Sequence, residues 1–267
     1  MYNFNNKNIH FQSSGSGQAI VLLHGFLESS KIWAFFAEKL SNKFQVITID
    51  LPGFGLTDNF SEIHTMELMA DTVKAVLDHL KIERCVMAGH SMGGYVSLAF
   101  AEKYPKILSG LCLFNSQAAA DSEEAKINRD RIIKIIQKNS SVFINEFIPD
   151  LFAESNKAKY KDQIERLKLD AAETSKEGII AALRGMKDRP DSLSLLKSFN
   201  KPILFISGKK DKRIPSETIL NQAALPHHSE VLLLEGIGHM GYIEAKDKTL
   251  MVLRDFVIRC LAKISKV

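Results

Sequence analysis

The sequence predicts an α/β domain in which a mostly parallel β-sheet is flanked by helices and a helical segment is inserted between two strands. Short apolar runs rich in Val, Ile and Leu alternate with amphipathic segments, which is the pattern of buried parallel strands joined by helices. Residues 118–197 lack such a run. The chain has 267 residues, 45% of them hydrophobic, which is enough to bury one large core.

Six apolar runs are predicted to form the strands. In chain order they are AIVLLHG, FQVITID, RCVMAGH, ILSGLCLFN, KPILFISG and EVLLLEG. The stretch TMELMADTVKAVLDHLKI has apolar residues at helical spacing behind Thr65 as an N-cap, so it predicts a crossover helix. Further helices are expected over residues 31–40, 92–103, 216–224 and 242–262. This βαβ series predicts an open sheet with helices on its faces.

The alternation of strands and helices stops between residues 118 and 197. This segment is dense in charge and helical in pattern, as in EEAKINRDRIIKIIQK and KEGIIAALRGMK. A long connection without strands inside a compact domain indicates a functional insertion. We therefore predict a core in two parts, residues 1–117 and 198–267, with a helical lid over residues 118–197.

Charge and composition argue against several classes of protein. The 35 basic and 31 acidic residues leave a net charge of +4, and no run of five like charges predicts a nucleic-acid or membrane-surface partner. No apolar stretch approaches the ~18 residues of a membrane span, and the polar start MYNFNNKNIHFQSSGSG lacks a signal-peptide core. We expect a cytoplasmic monomer or homodimer that acts on a small molecule.

The three cysteines are predicted to be buried thiols. Cys85, Cys112 and Cys260 lie far apart within apolar segments. An odd number of cysteines in such positions fits buried thiols better than disulfides or a metal site. We expect neither a metal nor a cofactor.

The motif from Gly89 to Gly93, Gly-His-Ser-Met-Gly, predicts a nucleophilic serine at Ser91. It follows the strand RCVMA and opens the helix MGGYVSLAFAEKY, the strand-turn-helix setting that raises a serine above the edge of a sheet. The two glycines lack side chains that would collide across so sharp a turn. The motif alone leaves a second interpretation, a glycine-rich turn in which Ser91 only caps the helix.

A nucleophilic serine needs a base, and the base needs an acid to orient it. Among eight histidines, His239 follows the last apolar strand, at the same carboxyl edge of the sheet as Ser91. Asp211 follows PILFISG and completes the order Ser, Asp, His. The other strand end, GLCLFNSQ, offers Asn115 and Ser116 but no carboxylate. The sequence therefore predicts that Asp211 fixes the tautomer of His239, which serves Ser91 as its base.

Two backbone amides are candidates for stabilising the oxyanion that develops during acyl transfer. The amide of Met92 directly follows the nucleophile. The amide of Phe26 lies in the loop of VLLHGFLESS, where Gly25 lets the chain turn. We expect His24 to brace this loop and to take no part in the chemistry.

Taken together, these motifs resemble the α/β-hydrolase family in its lidded serine-hydrolase form, over essentially the whole chain. The matching pieces are HGF at 24–26, DLPGFGLT at 50–57, GHSMGG at 89–94, SGKKD ending at Asp211 and GIGHM around His239. The resemblance implies the α/β-hydrolase fold and the roles already considered: Ser91 as nucleophile, His239 as base and acid, Asp211 as its partner, and the amides of Phe26 and Met92 as the oxyanion hole.

Hydrolysis of a carboxylic ester is the reaction that the sequence favours. The resemblance implies that relatives which open epoxides or cleave haloalkanes have an aspartate at the nucleophile position. This chain has Ser91 there, which argues against both reactions. Carbon–carbon bond hydrolases also use serine but often carry Trp directly after the histidine, where this chain has Met240. A non-catalytic hydrolase-fold sensor of a small ligand is the other alternative, because a fold does not decide function.

Apolar side chains are expected to line the substrate pocket, which suits acyl or aryl esters. The candidates are Phe143, Phe147 and Met186 in the lid, with Phe26, Met92 and Met240 beside the predicted triad. The lid residues are equally well explained as the core of the lid. Arg184 and Arg189 could meet a substrate carboxylate or phosphate, although a solvated or salt-bridged role is favoured.

Overall fold

A seven-stranded sheet forms the centre of the computed structural model, which describes residues 1–262. A short hairpin precedes it, made of β1 (Tyr2–Phe4) and β2 (Lys7–Ile9). The sheet contains β3 (Phe11–Ser14), β4 (Ala19–Leu23), β5 (Gln45–Ile49), β6 (Cys85–His90), β7 (Leu108–Phe114), β8 (Ile203–Gly208) and β9 (Ser229–Leu234). Its spatial order is β3-β5-β4-β6-β7-β8-β9, and only β3 runs antiparallel to its neighbour.

The six predicted strands correspond to β4 through β9, so the predicted fold class is confirmed. Sequence analysis missed β1, β2 and β3. These strands are only three or four residues long, and each contains exposed polar residues, so none contains an apolar run. The turn of the hairpin, Asn5-Asn6, has φ angles of 53° and 62°, and such an asparagine pair was the available signal.

Helices cover both faces of the sheet. Outside the insertion they are α1 (Ala34–Leu40), α2 (Met66–His79) and α3 (Met92–Lys103). In the insertion they are α4 (Glu123–Lys138), α5 (Ser140–Asp150), α6 (Lys161–Ala172), α7 (Lys176–Lys187) and α8 (Leu193–Ser198). The last three are α9 (Ser216–Ala223), α10 (Gly241–Glu244) and α11 (Lys246–Ala262).

The crossover helix α2 has both the N-cap and the buried apolar face that its sequence predicts. The hydroxyl of Thr65 accepts a hydrogen bond of 3.1 Å from the amide of Leu68, which satisfies one free N–H of the first turn. Met69, Val73 and Val76 are completely buried on one face. This apolar stripe fixes the helix against the sheet.

Two predicted helices differ from the expectation at their ends. The segment predicted over 31–40 begins as a 3₁₀ turn, Ser30–Trp33, before α1 starts. The helix predicted over 242–262 is divided into α10 and α11, because Ala245 leaves the helical conformation with φ −139° and ψ 39°. The break follows Glu244, whose carboxylate turns inward to accept hydrogen bonds from the amides of Gly238 and Ala153.

The insertion lies between β7 and β8 and contains five helices and a 3₁₀ turn, Glu154–Asn156, with no strand among its described residues. Its helix α7 packs directly on a core loop: the amide of His64 donates to the carbonyl of Ala181 at 3.0 Å. A Cβ atom at Gly178 or Gly185 would collide with the backbone of this loop at Gly53 or His64. The limits 118–197 and the role of a lid stay predictions.

All three cysteines are buried, as predicted. Burial raises the pKa of the Cys85 thiol to about 12 and also raises that of Cys112, so neither thiol ionises near neutral pH. In residues 1–262, no helix is both long and apolar enough to cross a membrane.

Candidate active site

Ser91 occupies a strained turn at the carboxyl end of β6. Its φ and ψ angles are 51° and −114°, a conformation that residues other than glycine rarely adopt. The turn is held because the amide of Ser91 donates to the carbonyl of Phe114 at 2.9 Å, while its own carbonyl accepts from Gly94 at 2.9 Å and from the Ser116 hydroxyl at 2.8 Å. Strain maintained in this way is typical of functional sites.

The glycines around Ser91 allow the strand and the helix to approach closely. A Cβ atom on Gly89 would collide with the backbone of Gly93, where α3 begins. On Gly93 it would lie 2.5 Å from the carbonyl oxygen of Leu23 and 2.7 Å from that of His24. The turn is therefore closed on two sides, which supports the steric role that the motif predicts for these glycines.

His239 is positioned by Asp211. Its Nδ1 lies 2.7 Å from Oδ2 of Asp211, and the histidine is only 4% exposed. The other carboxylate oxygen accepts from the amides of Arg213 at 2.8 Å and Ile214 at 3.1 Å. Burial alone would raise the pKa of Asp211, but the charge of His239 and these hydrogen bonds hold it below its usual value. A carboxylate held in this way keeps the Nδ1 proton on the histidine.

Asn115 is a member of the site that sequence analysis dismissed because it carries no charge. Its amide Nδ2 donates to Oδ2 of Asp211 at 2.9 Å and to the carbonyl of Gly238 at 3.3 Å. It therefore joins the loop of Asp211 to the loop of His239. Its φ of 46° and its place at the end of β7 were the signals available.

Ser91 and His239 both line a cavity of about 210 Å³ between the core and the insertion. Of the six predicted pocket residues, four line it: Phe26, Phe143, Phe147 and Met186. Met92 and Met240 do not. Both side chains are completely buried in the hydrophobic core, which corrects the expectation that they line the pocket.

The cavity combines apolar and polar walls. Its other apolar side chains are Ala125, Ile132, Leu151, Leu183 and Ile214, and its other polar side chains are Tyr95, Gln117, Asp121, Asn128, Arg129 and Arg213. Sequence analysis proposed none of these as lining residues. They come from five separate segments of the chain, so no local pattern brings them together.

The amides predicted for an oxyanion hole are available. Within residues 1–262, neither the N–H of Phe26 nor that of Met92 donates a hydrogen bond to another residue. The loop that carries Phe26 turns through Leu27, with φ 61°. It lies so close to the nucleophile that a Cβ on Gly25 would be 3.2 Å from Cβ of Ser91.

His24 braces this loop from behind, as expected. Its Nδ1 donates to the carbonyl of Gly25 at 2.8 Å, and its Nε2 accepts from the amide of Leu51 at 2.9 Å. Burial is the largest effect on its pKa, which is lowered, so the neutral imidazole is favoured. The two hydrogen bonds of His24 hold the loop of Gly25 and Phe26 in place.

A second buried network, which sequence analysis missed, lies beneath the site. Glu28 accepts hydrogen bonds from the amide of Gly25 at 2.6 Å, from Nδ1 of His90 at 2.9 Å and from the hydroxyl of Tyr242 at 2.9 Å. Nε2 of His90 in turn lies 3.0 Å from the carbonyl oxygen of His239. The network therefore connects the loop of Phe26, the turn before Ser91 and the loop of His239.

The two arginines considered as substrate contacts have structural partners. Arg184 donates to the carbonyl of Glu62 at 3.1 Å. Arg189 pairs with Asp121 and donates to the carbonyls of Met186 and Ala119, both at 2.8 Å. Neither arginine lines the cavity. The interpretation favoured for Arg189, a salt bridge, is confirmed, and Arg184 is held by a backbone carbonyl.

Within residues 1–262, no group of three or more His, Cys, Asp or Glu side chains is placed to hold a metal ion.

A family model described as the alpha/beta hydrolase fold matches residues 18–246 of this chain. A thermophilic esterase from Thermogutta terrifontis, solved with malate bound, is 34% identical and superposes with a TM-score of 0.91, covering 95% of this chain and 94% of that one. The chain therefore belongs to the α/β-hydrolase family.

Two curated relatives illustrate the range of that family. A 2-hydroxy-6-oxononadienedioate/2-hydroxy-6-oxononatrienedioate hydrolase from Paraburkholderia phymatum is 27% identical, over 93% of this chain and 90% of its own length. The dihydrolipoyllysine-residue acetyltransferase component of an acetoin cleaving system from Pseudomonas putida is 30% identical over 89% of this chain. This chain spans only 63% of the length of that second relative.

Proposed function

We propose that this protein is a serine hydrolase that cleaves small carboxylic esters through an acyl-enzyme on Ser91. One observation carries the proposal: Ser91, held at φ 51°, lines the same cavity as His239, whose Nδ1 is 2.7 Å from Asp211. A serine, a base and an orienting acid around one cavity are the parts that acyl transfer needs.

In this mechanism the hydroxyl of Ser91 attacks the ester carbonyl while Nε2 of His239 takes its proton. The carbonyl oxygen becomes an oxyanion, which the amides of Phe26 and Met92 stabilise. His239 then returns the proton to the leaving alcohol, and the acyl-enzyme remains. Water, activated by the same histidine, hydrolyses the acyl-enzyme and restores Ser91.

Asp211 acts through His239 and does not touch the substrate. Its pKa is held below the usual value, so the carboxylate stays ionised when His239 becomes an imidazolium. It stabilises that cation and keeps Nδ1 protonated, so Nε2 faces the serine as a base. Asn115 supports this role through its hydrogen bond of 2.9 Å to the same oxygen.

The size and walls of the cavity support a short acyl or aryl ester as substrate. A volume of about 210 Å³ is below the range of drug-sized ligand pockets. Phe143 and Phe147 stack with ring centroids 4.9 Å apart, and Phe147 meets Phe26 edge to face. We also propose that the insertion is a lid, since it supplies most of these walls.

Carbon–carbon bond hydrolysis is the second candidate, because a relative that matches over nearly the whole chain bears the name of a hydrolase of dienedioates and trienedioates. The same nucleophile and base would serve that reaction. A ligand sensor is the third, and it needs no intact nucleophile. The cytoplasmic location, the oligomeric state and the absence of nucleic-acid and membrane partners stay predictions.

The test is turnover of p-nitrophenyl acetate and butyrate by the wild-type protein and by Ser91→Ala. We expect turnover to fall by at least about 10⁴-fold in the variant. Ser97→Ala is the matched control, since it removes a serine of α3 whose hydroxyl only donates to the carbonyl of Gly93 at 2.7 Å. Equal turnover by Ser91→Ala would contradict the proposal.

The same assay separates the alternatives. Faster cleavage of a vinylogous 1,5-diketone than of any ester would favour the carbon–carbon hydrolase. Tight binding of a ligand without turnover across a panel of esters, thioesters, lactones and diketones would favour the sensor.

A further inference from the structure

We propose that the site selects substrates that carry an anionic group, and that the guanidinium of Arg129 binds this group. This inference rests on the proposed function and specifies its substrate class: short esters whose acyl or alcohol part bears a carboxylate. Arg129 lies on α4 of the insertion and lines the cavity that also contains Ser91 and His239.

The acidic and basic side chains that line the cavity leave an excess of positive charge. Besides His239, the charged side chains that line it are Asp121, Arg129 and Arg213. One carboxylate therefore faces two guanidinium groups. Charge of one sign in a partly enclosed cleft concentrates ligands of the opposite sign.

The imbalance is greatest at Asp121, because two arginines share it. Arg129 and Arg189 both pair with this carboxylate, which is only 5% exposed. Burial alone would raise the pKa of Asp121, but its hydrogen bonds and charge interactions with the two arginines lower it. The carboxylate therefore stays ionised at neutral pH, and the three side chains together carry one positive charge.

Arg129 has one terminal nitrogen that points to no oxygen acceptor among the described residues. Its Nε donates to Asp121, and one terminal nitrogen lies 3.4 Å from the second carboxylate oxygen. The other terminal nitrogen, NH1, is 3.6 Å from the sulfur of Met186, and no oxygen atom in residues 1–262 accepts a hydrogen bond from it. A thioether is a weak acceptor, so this nitrogen can bind an oxygen anion in the cavity.

Arg189 differs because its donors are used. It donates to two backbone carbonyls at 2.8 Å, and its guanidinium stacks 3.9 Å from the ring centroid of Tyr95. Arg213 also differs, because it pairs with Asp150 at 3.1 Å and its side chain is 36% exposed. The side chain of Arg129 is 18% exposed, so it is more desolvated than Arg213 and more open than Arg189.

The size of the cavity fits this assignment. A volume of about 210 Å³ corresponds to about seven water molecules at liquid density. A glutaryl or succinyl group is of this size. Such a group would place its ester carbonyl at Ser91 and its carboxylate toward α4, where Asn128 also lines the cavity and offers a second donor.

The experiment compares two esters of one acid, mono-p-nitrophenyl glutarate and its neutral analogue methyl p-nitrophenyl glutarate, by release of nitrophenolate. We expect the wild-type kcat/KM to be higher for the anionic ester by about 10- to 100-fold, the contribution of a hydrogen bond to a charged group. Arg129→Gln should abolish this preference and retain turnover of the neutral ester. Arg166→Gln, an exposed arginine of α6, is the control and should retain the preference.

The proposal is overturned if the wild-type protein cleaves the neutral ester as fast as the anionic one, or if Arg129→Gln retains the preference. If Arg129→Gln loses both activities, the conservative variant Arg129→Lys decides the question. It keeps the charge but loses the planar fork, so we expect a preference reduced by about tenfold. An unchanged preference in that variant would also count against the proposal.

Failure of the proposed function gives a different result. If the wild-type protein cleaves neither ester, or if Ser91→Ala cleaves both at the wild-type rate, then the serine-hydrolase proposal fails. Calorimetric titration with glutarate still tests the anion site in that case. Binding by the wild-type protein that Arg129→Gln abolishes would support the site, and no binding by the wild-type protein would contradict it.

Discussion

The carboxylate of Glu28 lies 2.9 Å from Nδ1 of His90, and each side chain is at most 2% exposed. Burial alone would raise the pKa of Glu28 and lower that of His90. Their mutual attraction reverses both effects, so the pKa of the carboxyl is lowered and that of the imidazole is raised. The pair is therefore ionised near neutral pH, directly beneath the turn that carries Ser91.

Removing the charge of Glu28 should affect catalysis as well as stability. Glu28→Gln leaves His90 without its counter-ion, which in a buried pair costs about 3 kcal/mol or more of unfolding free energy. The loops of Phe26 and His239 lose a shared anchor, so we expect kcat for an ester to fall by about tenfold. Urea unfolding and steady-state kinetics measure the two effects.

The control for that variant is Glu38→Gln. Glu38 is exposed and pairs with its neighbour Lys39 at 2.8 Å, so neither measurement should change. Wild-type kcat in Glu28→Gln would show that the network has no part in positioning the site.

Asp211→Asn should keep the fold intact and remove most of the activity. An asparagine can accept the amide hydrogen bonds of Arg213 and Ile214 but cannot hold the Nδ1 proton of His239 as a carboxylate does. We expect kcat to fall by about 10⁴-fold. Circular dichroism and steady-state kinetics provide the check, with Asp162→Asn, an exposed residue of α6, as the control. A fall of less than tenfold would be inconsistent with the role assigned to Asp211.

The lowered pKa of His64 should make the stability of the protein depend on pH. Burial lowers its pKa to about 4 from the usual 6.5, so the unfolded chain binds this proton more readily than the folded one. The free energy of unfolding should therefore decrease as pH falls from 6.5 to 4, by at most about 3 kcal/mol from this group. Above pH 6.5 the group contributes no slope.

Urea unfolding at pH 7, 5.5 and 4 measures this slope. His64→Gln should reduce the loss of stability over this range, whereas His227→Gln, at an exposed position, should not. Equal pH profiles for the wild-type protein and His64→Gln would contradict the assignment to His64.

Substitution by alanine should have a larger effect at Gly93 than at Gly236. Gly93→Ala should destabilise the protein by about 1–3 kcal/mol and abolish ester turnover, because the new Cβ would lie 2.5 Å from the carbonyl oxygen of Leu23. Gly236→Ala should cost only about 1 kcal/mol, since it has open space but a φ of 69°. Full activity in Gly93→Ala would show that the turn tolerates movement.

The sequence predicted the fold because the six strands β4 to β9 come from apolar runs, and the three residues of the predicted triad lie at or shortly after the ends of such runs. The carboxyl edge of a parallel sheet then brings Ser91, Asp211 and His239 to one side. Local signals of this kind are strong: the runs that became β6 and β8 have no exposed residue. The approach of these three residues to one edge of the sheet could therefore be predicted without a structure.

The supporting contacts could not be inferred in this way. Glu28 and Tyr242 are 214 positions apart and have no shared pattern, although they form a hydrogen bond of 2.9 Å. Met240 was expected in the pocket because it follows His239 in the chain, yet its side chain is completely buried in the core. Sequence neighbours can face opposite ways in a loop, so adjacency alone does not place a side chain.

The most direct test of the central claim is labelling with a serine-reactive fluorophosphonate followed by peptide mass spectrometry. We expect one adduct per chain, located on Ser91, with loss of ester turnover in proportion to labelling. His239→Ala should react far more slowly, because the serine then lacks its base. No adduct on Ser91 in the native protein, or full ester turnover after complete labelling, would contradict the role of Ser91 as the nucleophile.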